Sequence, residues 1–198
     1  MNKDKIKEIG TAVVKSGVGL IPYVGPLFSE LISIYSNKKA KKRFETWANM
    51  VEERLQKLDK KIDENNEKFF SAMVKTTQIV AKTHQEEKLE YLANALINSS
   101  NVDTEDDLIQ YFLELVERYT PSHIKALKYY RSYYLEDKEN CEKTLEKERL
   151  KSIYSSQLAS DGLLGFNNKR SSVDMVVLPL GMLFLSFISN KGGDKDEE

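Results

Sequence analysis

Side chains that could do chemistry are few in this chain, which has two histidines and one cysteine in 198 residues. His84 stands two residues before Glu86 and three before Glu87 in a predicted helix. An imidazole beside carboxylates could offer ligands to a metal ion, but the second histidine four residues further on, typical of helical zinc sites, is missing. A solvated or hydrogen-bonded His84 is the simpler interpretation. We therefore predict no metal site and no cofactor.

Other catalytic signatures are incomplete. Gly17 and Gly19 lack the third glycine of a dinucleotide-binding turn, and no Gly-Lys-Ser or Gly-Lys-Thr of a phosphate loop occurs. A Ser-His-Asp or Cys-His site is numerically possible but has no flanking signature. The sequence therefore favours binding over catalysis.

Charge and cysteine content limit the partners and the compartment. Thirty basic residues against thirty-one acidic ones give a net charge of -1, so no global field attracts nucleic acid or an anionic membrane, and such contacts need a local patch. The single cysteine, Cys141, excludes an internal disulfide and fits a reducing compartment. Charges of both signs at Lys3, Asp4 and Lys5 do not resemble a secretory signal. We expect a cytoplasmic protein.

The first 36 residues contain an apolar segment that is rich in glycine and proline. No residue from Ser16 to Ser29 is charged, but fourteen positions are too few for a spanning helix, which needs about 20 apolar residues. Pro22 and Pro26 predict two short helices joined as a hairpin. This hairpin either packs against the rest of the chain or contacts a membrane or a partner. The candidate contact residues are Val18, Leu20, Ile21, Tyr23, Val24, Leu27 and Phe28.

A basic cluster follows the apolar segment: Lys38, Lys39, Lys41, Lys42 and Arg43. Beside an apolar segment, lysines are what an anionic lipid surface attracts, at about 1 kcal/mol per residue. A solvated helix start is the alternative explanation. If the lysines do meet lipid, the protein lies peripherally on the inner face of the membrane.

The middle of the chain predicts an antiparallel helical bundle. Phe44 to Ile62 shows heptad spacing and is expected to lie antiparallel to one long helix over Phe69 to Ser100, which no glycine or proline interrupts. Its least apolar part, around Thr76 and Thr83, is where a kink or break would fall. Further helices are predicted to open at Thr104 and at Thr120-Pro121.

The C-terminal part changes its periodicity. A helix ends at Asp161-Gly162, and a β-hairpin follows, with arms at 163–166 and 173–178 and a turn at Asn167 to Arg170. A last helix covers 180–189. We therefore predict a mainly α fold, an antiparallel helical bundle with a small C-terminal winged-helix-like α/β module. The predicted division is an apolar hairpin (1–36), a bundle (37–135), the winged-helix-like module (136–190) and a disordered tail (191–198).

The order of these motifs resembles the abortive-infection alpha type family of bacterial phage-defence proteins and related helical proteins of bacteria. The likeness is carried by EEKLEYLANALINS (86–99), FLELVERYTPSHIKALKYY (112–130), SDGLLGF (160–166) and VVLPLGMLFLSFI (176–188). In the family the last strand usually ends in Thr-Pro, whereas Leu178 stands here in the threonine position, which removes a helix cap. The resemblance implies a cytoplasmic bacterial protein of defence or growth control.

Arg118 and His123 are separated by four residues, a spacing that resembles the helical ribonucleases of the HEPN type. That resemblance implies His123 as general acid or base and Arg118 as stabiliser of the phosphorane charge. The alternative is structural, because the intervening Thr-Pro-Ser already marks a helix start.

DNA binding through the winged-helix-like module is the other alternative, with Lys169 and Arg170 at the tip of the hairpin as the contact residues. Acidic residues on the would-be recognition helix, among them Glu146 and Glu148, would repel phosphates. Nucleic acid is therefore not the expected partner. We expect a protein partner, keep a membrane surface as a second candidate, and leave a homo-oligomer open.

Overall fold

The computed structural model describes residues 38–57, 66–100, 104–135, 145–169 and 172–190. Within them the chain is mainly helical, with seven helices and one two-stranded antiparallel sheet. The elements are α1 (Lys38–Gln56), α2 (Glu67–Lys82), α3 (Glu87–Asn98), α4 (Asp106–Arg118), α5 (Pro121–Leu135), α6 (Leu145–Ser160), β1 (Leu164–Lys169), β2 (Ser172–Val177) and α7 (Pro179–Ile188). The predicted mainly α fold with a small sheet is thus confirmed. The predicted hairpin at 1–36 and the tail at 191–198 lie outside the described residues.

The chain divides into two compact units between Glu117 and Arg118. The sequence pattern had placed a boundary further on, at 135–136. α5 is grouped with the C-terminal unit because it packs on α6, β2 and α7.

In the N-terminal unit α1, α2 and α3 pack against one another in pairs. Their buried faces include Phe44, Trp47 and Leu92, all without exposed surface. The side-chain amide of Asn66, which caps the start of α2, donates to the carbonyl of Ser100 just after α3. Because the start of α2 meets the end of α3, these two helices form an antiparallel hairpin.

The prediction of one long helix over Phe69 to Ser100 is wrong, because the helix breaks at Thr83. Thr83 has extended backbone (φ −70°, ψ 143°), and its hydroxyl accepts a bond of 3.3 Å from the amide of Gln85. A threonine that binds the backbone two residues on offers the chain an alternative to helix. The break falls in the polar middle that the sequence singled out.

Helix α4 runs beside α2 in the same direction. Three side-chain contacts join the two helices: Lys68 with Asp106, Ser71 with Gln110, and Lys75 with Glu117. The residue numbers on both helices rise from one contact to the next, so the helices are parallel. The predicted cap at Thr104 is wrong by one residue, since the first helical bond runs from Ile109 to the carbonyl of Glu105. The Thr104 carbonyl instead accepts from the Lys68 ammonium group at 2.7 Å.

In the C-terminal unit both predicted helix boundaries are confirmed. α5 begins at Pro121 directly after Thr120, and α6 ends at Ser160. Gly162 has φ +73°, while its amide and that of Leu163 donate back to the carbonyls of Ala159 and Leu158. This is a Schellman termination, which needs the left-handed backbone that glycine adopts without strain.

The hairpin is longer than the sequence indicated. Its register runs from Leu164 opposite Val177 to Lys169 opposite Ser172. Asn167, Asn168 and Lys169 therefore belong to β1, and their prediction as a turn is wrong. The polar composition suggested a turn, but pairing of the strands uses backbone groups that every residue here supplies.

Helix α7 packs on the hairpin through a close approach at Gly181. The backbone there leaves no room for a side chain, because a Cβ would meet the Leu163 carbonyl and the Val177 side chain. α7 starts after Leu178, which supplies no side-chain cap. The sequence expectation that a cap is missing here is confirmed.

Candidate functional site

The basic cluster lies at the start of α1. Lys38, Lys39, Lys41 and Lys42 are all exposed, while Ala40 between them is buried. The helix is anchored through Ala40, Phe44 and Trp47, so the lysines face away from the core. Lys41 has an ion pair with Glu45 at 4.0 Å, in which both side chains are about half exposed, and a pair of this kind contributes little. We call these four residues the lysine end of α1.

The lysine end has the charge opposite to the one that favours a helix start. The first turn of α1, as described from Lys38, holds no acidic residue.

The predicted contact residues of the apolar segment lie outside the described residues: Val18, Leu20, Ile21, Tyr23, Val24, Leu27 and Phe28. The lysine end is thus the described part of the predicted membrane or partner contact.

Arg118 is held by its own unit. Its guanidinium pairs with Asp161 at 2.8 Å and lies 5.6 Å from the centre of the Tyr119 ring. The other carboxylate oxygen of Asp161 accepts from the hydroxyl of Tyr119, a fully buried residue. Asp161, which lies just after α6, therefore links the end of that helix to Arg118 and Tyr119.

His123 is buried among aromatic rings. It stacks on Tyr119 with ring centres 5.0 Å apart and lies 4.4 Å from Tyr154. The amide of Thr120 donates to Nδ1, so Nδ1 carries no proton and the Nε2–H donates to Gln157 at 2.9 Å. Both ring nitrogens of the neutral imidazole are therefore hydrogen-bonded, Nδ1 as an acceptor and Nε2 as a donor.

These contacts bear on the ribonuclease alternative. A general acid or base must reach the proton that it transfers. His123 is 8% exposed, with both ring nitrogens hydrogen-bonded, and Arg118 is paired with a carboxylate. The geometry therefore favours a structural role for both residues.

The residues proposed for DNA contact are only partly described. Lys169 ends β1, and its backbone pairs with Ser172. Arg170 lies outside the described residues.

The N-terminal unit contains a charged cluster that no spacing in the sequence predicts. The Glu117 carboxylate pairs with Lys75 at 3.3 Å and with Lys82 at 3.5 Å, and its carbonyl accepts from Lys88 at 2.7 Å. Burial lowers the pKa of Lys88, which is 6% exposed. Partial burial works to raise the pKa of Glu117, but the ammonium groups of Lys75 and Lys82 outweigh it and hold this pKa below its ordinary value of 4.5.

The lowered pKa of Glu117 predicts acid sensitivity. The carboxylate stabilises the fold above the pKa of the unfolded chain, and this stabilisation is lost as pH falls through the lower pKa of the folded state. Replacement of Glu117 by Gln should reduce the free energy of unfolding by about 1 kcal/mol near neutral pH, since the site is one-third exposed, and by less in acid. Urea unfolding across this pH range measures the difference. Glu114→Gln, an exposed change on the same helix, is the control, and an equal loss for both variants would contradict the assignment.

The large apolar residues exposed among the described parts of the chain all lie in the C-terminal unit: Ile153, Phe166, Met182 and Leu183. Leu183 is 54% exposed and Phe166 66%. The run from 175 to 190 contains no charged residue, yet one side of α7 is exposed. Helical periodicity applied to α7 alone would have separated its two sides.

Within the described ranges, no group of three histidine, cysteine, aspartate or glutamate side chains could hold a metal ion. His84 itself is exposed in the break between α2 and α3.

No helix in the described part of the chain has both the length and the apolar composition needed to cross a membrane.

Comparison of the chain with models of protein families, with curated proteins and with solved structures finds no match in any of the three.

Proposed function

We propose that this chain is a non-enzymatic binding protein of bacterial phage defence or growth control. It acts at a membrane surface or on a protein partner, through the apolar segment within residues 1–36 and the lysine end of α1. The observation that carries this proposal is the exposure of Lys38, Lys39, Lys41 and Lys42 on a helix whose opposite face is buried. The defence role rests on the family resemblance of the sequence motifs.

The contacts of Arg118 and His123 also support binding over catalysis. The polar atoms of Arg118 and His123 are engaged in contacts within the C-terminal unit. The order α6, β1, β2, α7 also supports the proposal that this unit is winged-helix-like. Phe166 and Leu183 are both exposed apolar side chains of this unit, and such side chains suit contact with a protein.

A test of this function introduces charge into the apolar segment. A full-length variant with Ile21→Asp and Leu27→Asp should lose membrane or partner association, because an aspartate in an apolar contact must be desolvated. Its effect on phage plating or host growth should fall at least about tenfold, since the loss of one such contact exceeds 1.4 kcal/mol. Cell fractionation and plating of phage on an expressing host measure both quantities.

The matched control places the same charges at exposed positions, with Asn49→Asp and Gln85→Asp. This control should behave like the parent chain. A charged apolar segment with full cellular effect would contradict the role of that segment, and a parent chain without effect on growth or phage would contradict the defence role.

A further inference from the structure

We infer that the lysine end of α1 docks on an anionic lipid bilayer, an inference that rests on the proposed function and names its partner. The lysines at 38, 39, 41 and 42 cover an arc of about 160° at 100° per residue. Ala40, Phe44 and Trp47 fall within the opposite arc and are buried. All four ammonium groups can therefore approach one surface while the helix keeps its packing.

Charge is segregated along the exposed side of α1. The lysines occupy its first five residues, and the acidic residues Glu45, Glu52 and Glu53 follow. Glu53 is paired with Lys57 at 2.7 Å. Glu52 lies ten residues beyond Lys42, about 15 Å along the axis, which exceeds the Debye length of roughly 8 Å at physiological salt. Glu45 lies only three residues beyond Lys42 and pairs with Lys41 at 4.0 Å, so it offsets part of the lysine charge. Glu52 and Glu53 lie too far along the helix to repel a surface at the start of α1.

The sequence before the lysine end selects lipid over other polyanions. Between Ser16 and Asn37 the only charged residue is Glu30, and the segment is rich in Leu, Ile, Val and aromatic side chains. A bilayer offers an apolar layer beside a layer of phosphates, and so complements both neighbouring segments. A nucleic acid or an acidic peptide complements only the lysines.

The test measures how the full-length chain binds lipid vesicles. Vesicles of phosphatidylcholine alone are compared with vesicles that also contain phosphatidylglycerol, by co-sedimentation. The variant replaces Lys38, Lys39, Lys41 and Lys42 by Gln. Because each lysine near an anionic surface strengthens binding by up to about fivefold, the variant should bind the anionic vesicles roughly 100-fold more weakly, and added salt should weaken the parent in the same direction.

Two controls separate this site from total charge and from folding. The first removes the same charge from exposed positions elsewhere, with Lys57, Lys125, Lys128 and Arg131 replaced by Gln. It should change the affinity by less than about threefold. The second replaces the four lysines by Arg, which keeps the charge and should keep the binding.

Three outcomes would overturn the inference. Equal binding of the Gln variant and the parent to anionic vesicles would exclude the lysine end. Equal binding of the parent to both kinds of vesicle would exclude selection of anionic lipid, yet leave the apolar contact of the proposed function intact. Binding of duplex DNA or RNA in place of vesicles, lost in the Gln variant, would assign the lysine end to nucleic acid. Failure of the proposed function itself would appear in the phage and growth assay, which does not depend on lipid composition.

Discussion

Replacement of Gly181 by Ala is expected to destabilise the C-terminal unit by about 3 kcal/mol, the upper end of the usual effect of overpacking. A Cβ at this position would collide with the backbone oxygen of Leu163 and lie 2.8 Å from Cγ1 of Val177. The Leu163 carbonyl, which lies just before β1 and accepts from the Leu178 amide, cannot move aside as the end of a long side chain can. In an ordinary helix interior the same change stabilises by about 1 kcal/mol, so the expected effect is opposite in sign.

Urea unfolding followed by circular dichroism, with hydrogen exchange of the β1 and β2 amides, measures the effect of Gly181→Ala. Gly162→Ala is the matched control, because its Cβ would have ordinary contact with Leu180 at 3.7 Å. Its cost should come from the left-handed backbone alone, about 1 kcal/mol. A Gly181→Ala variant as stable as the parent would show that α7 does not pack this closely on the hairpin.

Replacement of His123 by Ala is expected to lower the free energy of unfolding by about 3 kcal/mol, because it opens a cavity and leaves buried polar groups unpaired. The change removes the stack on Tyr119 and the partners of the Thr120 amide and of Gln157. Arg118→Ala should lower it by about 1 kcal/mol or less, since half of that side chain is exposed. The two residues should therefore differ in their effect.

The same pair of variants separates the structural interpretation from the ribonuclease alternative. A structural pair predicts unequal losses of stability and no change in RNA cleavage. A catalytic pair predicts that either substitution abolishes cleavage with little change in stability. Thermal unfolding combined with an assay of RNA degradation distinguishes the two, and cleavage by the parent chain that both variants lose would restore the catalytic role.

The helix boundaries that the sequence predicted correctly are those set by local backbone chemistry. Pro121 fixes φ at a helical value and lacks the amide that a first helical residue leaves unpaired. Gly162 supplies the left-handed residue of the α6 terminus. Such preferences act within a few residues and can be read without knowledge of the fold.

Two of the failures arise where contacts distant in sequence decide the outcome, whereas the break at Thr83 and the strand at Asn167 to Lys169 depend on local backbone bonding. Thr104 resembles a helix cap, yet its carbonyl is bound by Lys68, thirty-six residues away. The cluster of Lys75, Lys82 and Glu117 joins α2 to α4, and no spacing in the sequence brings those residues together. The lysine end was predictable because exposure follows from the apolar positions of a single helix.

The break at Thr83 also has a kinetic consequence. One uninterrupted helix from 69 to 100 would extend about 48 Å and could find its partners only among remote segments. The return of the chain after Thr83 lets α2 pack on its immediate successor α3, while α1 also packs on α3 across a larger separation in sequence. Contacts between helices that are neighbours in sequence lower the contact order, and proteins of lower contact order fold faster. We therefore expect the break at Thr83, where the hydroxyl accepts from the Gln85 amide, to speed the folding of the N-terminal unit.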